Sequence, residues 1–388
     1  MKTSILEVQE LHGRVRECAA RADGWMRECA FPFWADRTPS PGGGFFERLD
    51  LDGVGIPGEP SRVRLQARMV FTFALAADLG WDRDRALALV NRGLEILVND
   101  CRRPDGLYGA LVVPGTGLSD DTAQTYDTAF ALLAFAAAYR TFDLDLAREA
   151  GSALNRDIEA LLRHDASTGG YKEQIPAPER RRQNPHMHLT EASLAWFAAS
   201  GERGALERAK RCAIFVHDRF FDLNTGLLRE YAGGTSDANH VEAGHHFEWV
   251  WLLDQFGDAS LPQLNGWKQA LHDGGMRLVR DLSYYPLSQE CDLIVRDDRQ
   301  RLWVPAEKLK GHIAIAGMVP SAEDLQWIVH TTEVIFADHL DQALQGAWID
   351  VVAPDKASRI TDITPATGYH VFLAFRELIA FADTLPAS

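Results

Sequence analysis

Apolar positions recur along this chain at the 3.6-residue period of α-helices almost from end to end. The pattern predicts helices over 5–27, 64–79, 84–99, 123–139, 145–163, 188–200, 203–219, 241–255, 262–280, 305–319, 322–340 and 369–383, and no strand core. The helices are of two kinds. Ala129–Ala138 is apolar nearly all round, so its helix must be covered on most sides. In contrast, 84–99 and 203–219 carry an apolar stripe with charges opposite, as outer helices do. Connections alternate as well. Short ones follow 79, 139, 200, 255 and 319, and long ones rich in Gly, Pro, Asp and Asn follow 27, 99, 163, 219, 280 and 340. Helices that open after a long connection start near 64, 123, 188, 241, 305 and 369.

Six helical hairpins with alternating loop lengths predict an all-α fold, an (α/α)6 barrel of twelve helices. No linker-like shift in composition interrupts 1–388, so one domain is expected. An open helical solenoid is the alternative, but solenoids keep their loops more uniform. In a closed ring, six inner helices point their N-termini at one mouth, walled by the six long loops.

Charge narrows the partners. Forty Lys+Arg against 55 Asp+Glu give a net charge of −15, a field that repels nucleic acid and anionic membrane surfaces. The longest apolar run, Ala129 to Tyr139, is too short to span a bilayer. Acidic residues interrupt MKTSILEVQE before the apolar core of a signal peptide forms. Five scattered cysteines without a CxxC are expected as reduced thiols in a cytoplasmic protein.

The first turns of the six inner helices hold Arg64 and Arg68; Tyr126 and Asp127; Asn184, His186, His188 and Glu191; His245, His246 and Glu248; Glu307; and His370. Such groups are costly to bury unpaired, yet they begin strongly apolar helices, which points to a functional mouth. Arg68, between Ala67 and Met69, needs a buried anionic partner or a ligand. Neighbours on a helix point about 100° apart, so only one of His245 and His246 is expected to face the mouth. Glu248, three residues after His245, is expected to fix that ring's tautomer. Asn184 and His188 share a face if their helix begins before Pro185. Asp127 reads equally well as a capping carboxylate.

Three chemistries fit such a mouth. Metal-assisted hydrolysis through His186, His188 and His245 lacks the HxxxH or HExxH spacing, so no metal is expected. Glycoside hydrolysis through Asp127, Glu248 or Glu307 leaves the histidines without a task. Proton transfer next to a sugar carbonyl uses all of them: one histidine as base, a second returning the proton, an arginine for the enediolate oxygen and a carboxylate behind a ring. It requires no cofactor.

The same residues resemble the N-acylglucosamine 2-epimerase family, which includes mannose isomerases and cellobiose 2-epimerases. The matching segments are GGGFFERLDLDG with RVRLQARMVFTFA, YDTAFALLAFA, QNPHMHLTEASLAWF, EAGHHFEWVWLLD, RLWVPAEKLKG and GYHVFLAFREL, in order over most of the chain. The resemblance implies an (α/α)6 barrel that moves a proton through a cis-enediol. It implies His245 and His370 as the catalytic pair with Glu248 as partner. Arg68, Asn184, His188, Trp303, Glu307, Tyr126 and Asp127 become the residues around a monosaccharide substrate. Family members often form homodimers, although no residue here marks an interface. One departure is Pro305, where many relatives have glutamine.

QNPHMHL and the last segment look most like the mannose isomerase branch, so mannose–fructose isomerisation is the first expectation. Epimerisation of N-acetylglucosamine or another aldose at C2 is the next. Arg180, Arg181 and Arg182 raise a phosphorylated hexose, or else a solvated loop. A sugar-binding protein without activity is the alternative of a different class, and a binding site has no need of two bases.

Overall fold

The computed structural model describes residues 5–386 apart from 165–167, 179, 233–238, 258–260 and 280–283. Six outer helices surround six inner ones. The outer layer comprises α1 (Ile5–Trp25), α4 (Arg83–Asn99), α6 (Asp145–Asp157), α8 (Arg203–Phe220), α10 (Trp267–Leu278) and α12 (Ala322–Val334). The inner ring comprises α3 (Val63–Asp78), α5 (Thr125–Phe142), α7 (Asn184–Ser200), α9 (Ala243–Asp254), α11 (Trp303–Ala316) and α13 (Gly368–Thr384). Each inner helix packs on its inner neighbours, and α13 returns to α3. That contact closes the ring and excludes the open solenoid.

Burial follows the apolar pattern. Along α5 every residue from Asp127 to Ala138 is buried, because neighbouring inner helices and α6 cover it on all sides. The outer α4 buries only its stripe of Ala86, Leu89, Val90, Gly93, Leu94, Ile96 and Leu97. Local chemistry sets several ends. The Asp82 side chain caps α4, Ser321 and Asp324 form a capping box on α12, and Gly201 ends α7 in the left-handed region at φ 73°.

Several boundaries depart from the sequence pattern. The first outer helix runs on through a wider π turn (Met26–Ala30) into α2 (Phe31–Arg37), beyond the expected end at 27. Helix α7 starts at Asn184, four residues earlier than expected, because Pro185 falls in the first turn where no N–H is needed. Helix α10 starts at Trp267, five residues after the expected 262, where Pro262–Leu264 makes only a short 3-10 turn, and its expected last residue, 280, lies outside the described residues.

A second closed ring lies above the helices. The residues leading into each inner helix pair antiparallel with the following long connection. Ser61–Arg62 pairs with Leu111–Val112, Ala123–Gln124 with Gln174–Ile175, and Arg182 with Tyr231. His240–Val241 pairs with Gln289–Glu290, Gln300–Arg301 with Val351–Val352, and Ile363 with Leu49. These six clamps hold the starts of the inner helices, and therefore the mouth, in fixed register.

Candidate active site

A cavity of about 450 Å3 opens at the N-terminal ends of the inner helices. Arg68, Tyr126, Asn184, His188, His245, Glu248, Trp303 and His370 all line it, one or more from each inner helix. Asp127 and Glu307 do not.

His245 and His370 flank Trp303, with ring centroids 5.1 and 5.8 Å from the indole. The indole reaches this seat because residue 244 is glycine: a Cβ there would lie 2.1 Å from the Trp303 ring. Each histidine is backed by a carboxylate. His245 Nδ1 lies 2.6 Å from Glu230 Oε1 and 3.7 Å from Glu242. His370 Nδ1 lies 2.6 Å from Glu307 Oε1, whose other oxygen is 2.8 Å from Lys310 Nζ.

The two imidazoles differ in charge. Burial opposes the charge on His245, but Glu230 and Glu242 outweigh it and raise its pKa to about 10, so this ring carries two protons. The Asn184 amide meets the ring through Nδ2, 3.0 Å from His245 Nε2, while its Oδ1 is buried and unpartnered; turning the amide over gives that oxygen the Nε2 proton to accept. His370 is pushed well below the ordinary histidine range, by burial and by the charges of Arg68, Lys310 and Arg301. It is a neutral imidazole, giving its Nδ1 proton to Glu307.

Beneath them, His188 is held neutral, its pKa lowered by burial to about 4, and its Nδ1 is 3.3 Å from Glu191. Glu191 also accepts from Tyr369. Glu248, raised by burial and then by Glu307 and Glu191, retains its proton; its Oε1 is buried and 3.7 Å from His188. Arg68 donates to the carbonyl of Ala366 at 3.1 Å and to the Tyr126 hydroxyl at 3.0 Å, and stacks on Phe130. No carboxylate among the described residues forms an ion pair with it, so its charge is available to a ligand.

Four expectations need correction. Glu248 does not back His245. Helical side chains lean toward the N-terminus, so the ring meets Glu242, three residues earlier, and Glu230 across the loop, while Glu248 sits a turn deeper beside His188. Asp127 is fully buried and takes the backbone N–H and guanidinium of Arg64, so it caps the neighbouring helix and does not reach the sugar side. Glu307 is also fully buried and orients His370. Of the three consecutive arginines only Arg182 reaches the mouth. It pairs with Glu173, while Arg180 stacks on Tyr231 and Arg181 on Phe215. Pro305 is buried in the first turn of α11, away from the cavity.

His246 faces away from the mouth, as the 100° rule requires, and so does His186. Each takes a backbone proton on Nε2, from Leu228 and Tyr171 respectively, and bonds on Nδ1 to the carbonyl four residues before it. Glu230, Arg182 and Arg301, all lining the mouth, have no spacing signal in the sequence. Glu242 and Lys310, each three residues from a named partner, were readable from helical geometry.

Ligating atoms of His188, Glu191 and Glu248, of Glu230, Glu242 and His245, and of Glu248, Glu307 and His370 lie within 4.8 Å in each group. In the last, the Lys310 ammonium sits against the Glu307 carboxylate, and in the second the His245 imidazolium supplies the positive charge. No helix among the described residues is long and apolar enough to cross a membrane.

The N-acylglucosamine 2-epimerase (GlcNAc 2-epimerase) family model matches residues 44–374. The chain is 32% identical over 383 residues to a mannose-6-phosphate isomerase of Rhizobium meliloti (strain 1021), covering 93% of this chain and 96% of that one. It is 29% identical over 345 residues to a D-mannose isomerase of Thermobifida fusca, covering 80% and 82%. The solved structure of cellobiose 2-epimerase from Spirochaeta thermophila DSM 6192 shares the fold, with a TM-score of 0.85 at 20% identity, covering 95% and 98%.

Proposed function

Because the chain belongs to the N-acylglucosamine 2-epimerase family and is an isomerase or epimerase acting on sugars, we propose that it interconverts mannose and fructose with His370 as the single carbon base. His370 Nε2 takes the C2 proton of the open-chain aldose, and the His245 imidazolium gives a proton to O1 as the enediol forms. Arg68 stabilises the developing negative charge on oxygen. In the second half His245 recovers a proton from O2 and His370 delivers its own to C1, so the protons balance and the product is the ketose.

The observation that carries this reading is the unequal pair. A reversible two-base epimerase needs each histidine to take the C2 proton in one direction. His245 has two carboxylates, Glu230 and Glu242, that favour its proton and the Asn184 amide against Nε2, which makes it an acid and a poor carbon base. Replacing either His245 or His370 by alanine is expected to lower turnover by at least about 10²-fold.

A second reading has the same chemistry on mannose 6-phosphate. Arg62, Arg64, Arg182 and Arg301 at the mouth favour it, as does the name of the 32%-identical relative. NMR of product mixtures from mannose, mannose 6-phosphate and N-acetylglucosamine tests both. Fructose or its 6-phosphate supports isomerisation, and the better kcat/KM selects the substrate. Glucose or N-acetylmannosamine as the sole product would overturn the single-base reading in favour of C2 epimerisation.

A further inference from the structure

We propose that Lys310 is a positioning residue for proton transfer: paired with Glu307 in the barrel interior, it keeps that carboxylate charged, and the charged carboxylate keeps the proton of His370 on Nδ1, away from the cavity. This rests on the reading of His370 as the carbon base.

The geometry is a three-residue chain. Helix α11 places Glu307 and Lys310 three apart on one face, both fully buried. Glu307 uses Oε2 for the ammonium at 2.8 Å and Oε1 for His370 at 2.6 Å. The Lys310 contact is close but off the line of a hydrogen bond, and the ammonium rests 4.0 Å from the centre of the Trp251 ring. Stability is a poor reason for such a pair, since well-packed apolar residues commonly replace buried ion pairs without loss.

The surroundings show what the charge does. Glu307 shares its dry region with Glu191 on α7, His245 and Glu248 on α9, and Tyr369 and His370 on α13. Three carboxyl groups cannot all ionise there unaided. Burial raises Glu307 to about 7 even with Lys310 beside it. Without the ammonium, Glu307 holds a proton and donates it to His370 Nδ1. The imidazole proton then moves to Nε2, facing the sugar, and the base has no lone pair to offer.

The test is Lys310→Met, with kcat and KM measured from pH 6 to 10 beside the wild type. Glu307 sheds its charge by binding a proton, so the variant is expected to fold. At pH 7 kcat should fall at least about tenfold while KM stays within about threefold. Activity should return as pH rises, with the acid limb displaced upward by about one unit or more. A purely structural role would not move that limb. An unshifted acid limb, or an equal loss at every pH, overturns the proposal.

The double variant Lys310→Met with Glu307→Gln keeps the question decidable if the single one fails to fold. Its amide cannot take up a proton and accepts from His370 Nδ1 through oxygen. The Glu307 limb should vanish; survival of a wild-type limb overturns the proposal. His370→Asn separates the two layers: if it still exchanges the C2 proton, the reading of His370 fails, whatever Lys310 does.

Discussion

What stands behind each imidazole decides its part. Glu230 and Glu242 hold His245 charged, and their loop and helix start lie together because Arg229 pairs antiparallel with Val241 and the Glu230 N–H donates to the His240 carbonyl. Glu230→Gln should therefore lower the pKa of His245. The alkaline limb of kcat, expected near pH 10 in the wild type, should move down, and kcat at pH 9 should fall by roughly tenfold. An unchanged alkaline limb in this variant contradicts the acid role of His245. The histidines themselves were legible in the sequence, since charged and polar groups at the starts of apolar helices require a reason. Their partners were not. Glu230 lies fifteen residues from His245 in a loop without periodicity, and only the folded connection brings it there. Glu248 had the right spacing and the wrong depth, because the lean of helical side chains turns His245 toward the mouth.

At the scale of elements, His186 and His246 do the same task one hairpin apart. Each fastens a strand of the preceding long connection to the first turn of its inner helix, through a neutral ring fully committed to backbone groups. His186→Ala leaves the Tyr171 N–H and the Arg182 carbonyl without these bonds in a buried site. It should cost about 2–4 kcal/mol and lower the melting temperature, while kcat of the folded protein stays within about threefold. A variant as stable as the wild type would show that water or a neighbour replaces the ring. Helix identity and the alternation of connections were readable because burial on one side or all sides leaves different patterns. The six clamps were not, since pairings this short leave no two-residue alternation to read. The start of α7 depended on whether Pro185 lay inside the helix, and its first-turn position decided that.

The whole molecule carries these local choices into its response to pH. His186, His188 and His246 are buried neutral, with folded pKa values lowered by burial to about 3, 4 and 4. Their contribution to stability is complete above the unfolded value of about 6.5 and is lost as pH falls toward those folded values. His245, raised to about 10, contributes fully below about 6.5 and loses that contribution as pH rises through 10. Thermal stability should therefore peak near pH 6.5 and fall more steeply on the acid side, where these three act together with His312, His339 and His370, which burial also lowers. Calorimetry across pH 4 to 10 checks this, and a melting temperature flat from 4 to 7 would contradict it. The closed ring was legible from loop lengths alone, and the return of α13 to α3 completes it. The central chemical claim, one carbon base carrying hydrogen from C2 to C1, is tested most directly with mannose deuterated at C2, turned over in ordinary water and followed by NMR. Fructose bearing part of that deuterium at C1, and loss of the signal in His370→Ala, is the expected result. Glucose with solvent hydrogen at C2, and no fructose, would contradict it.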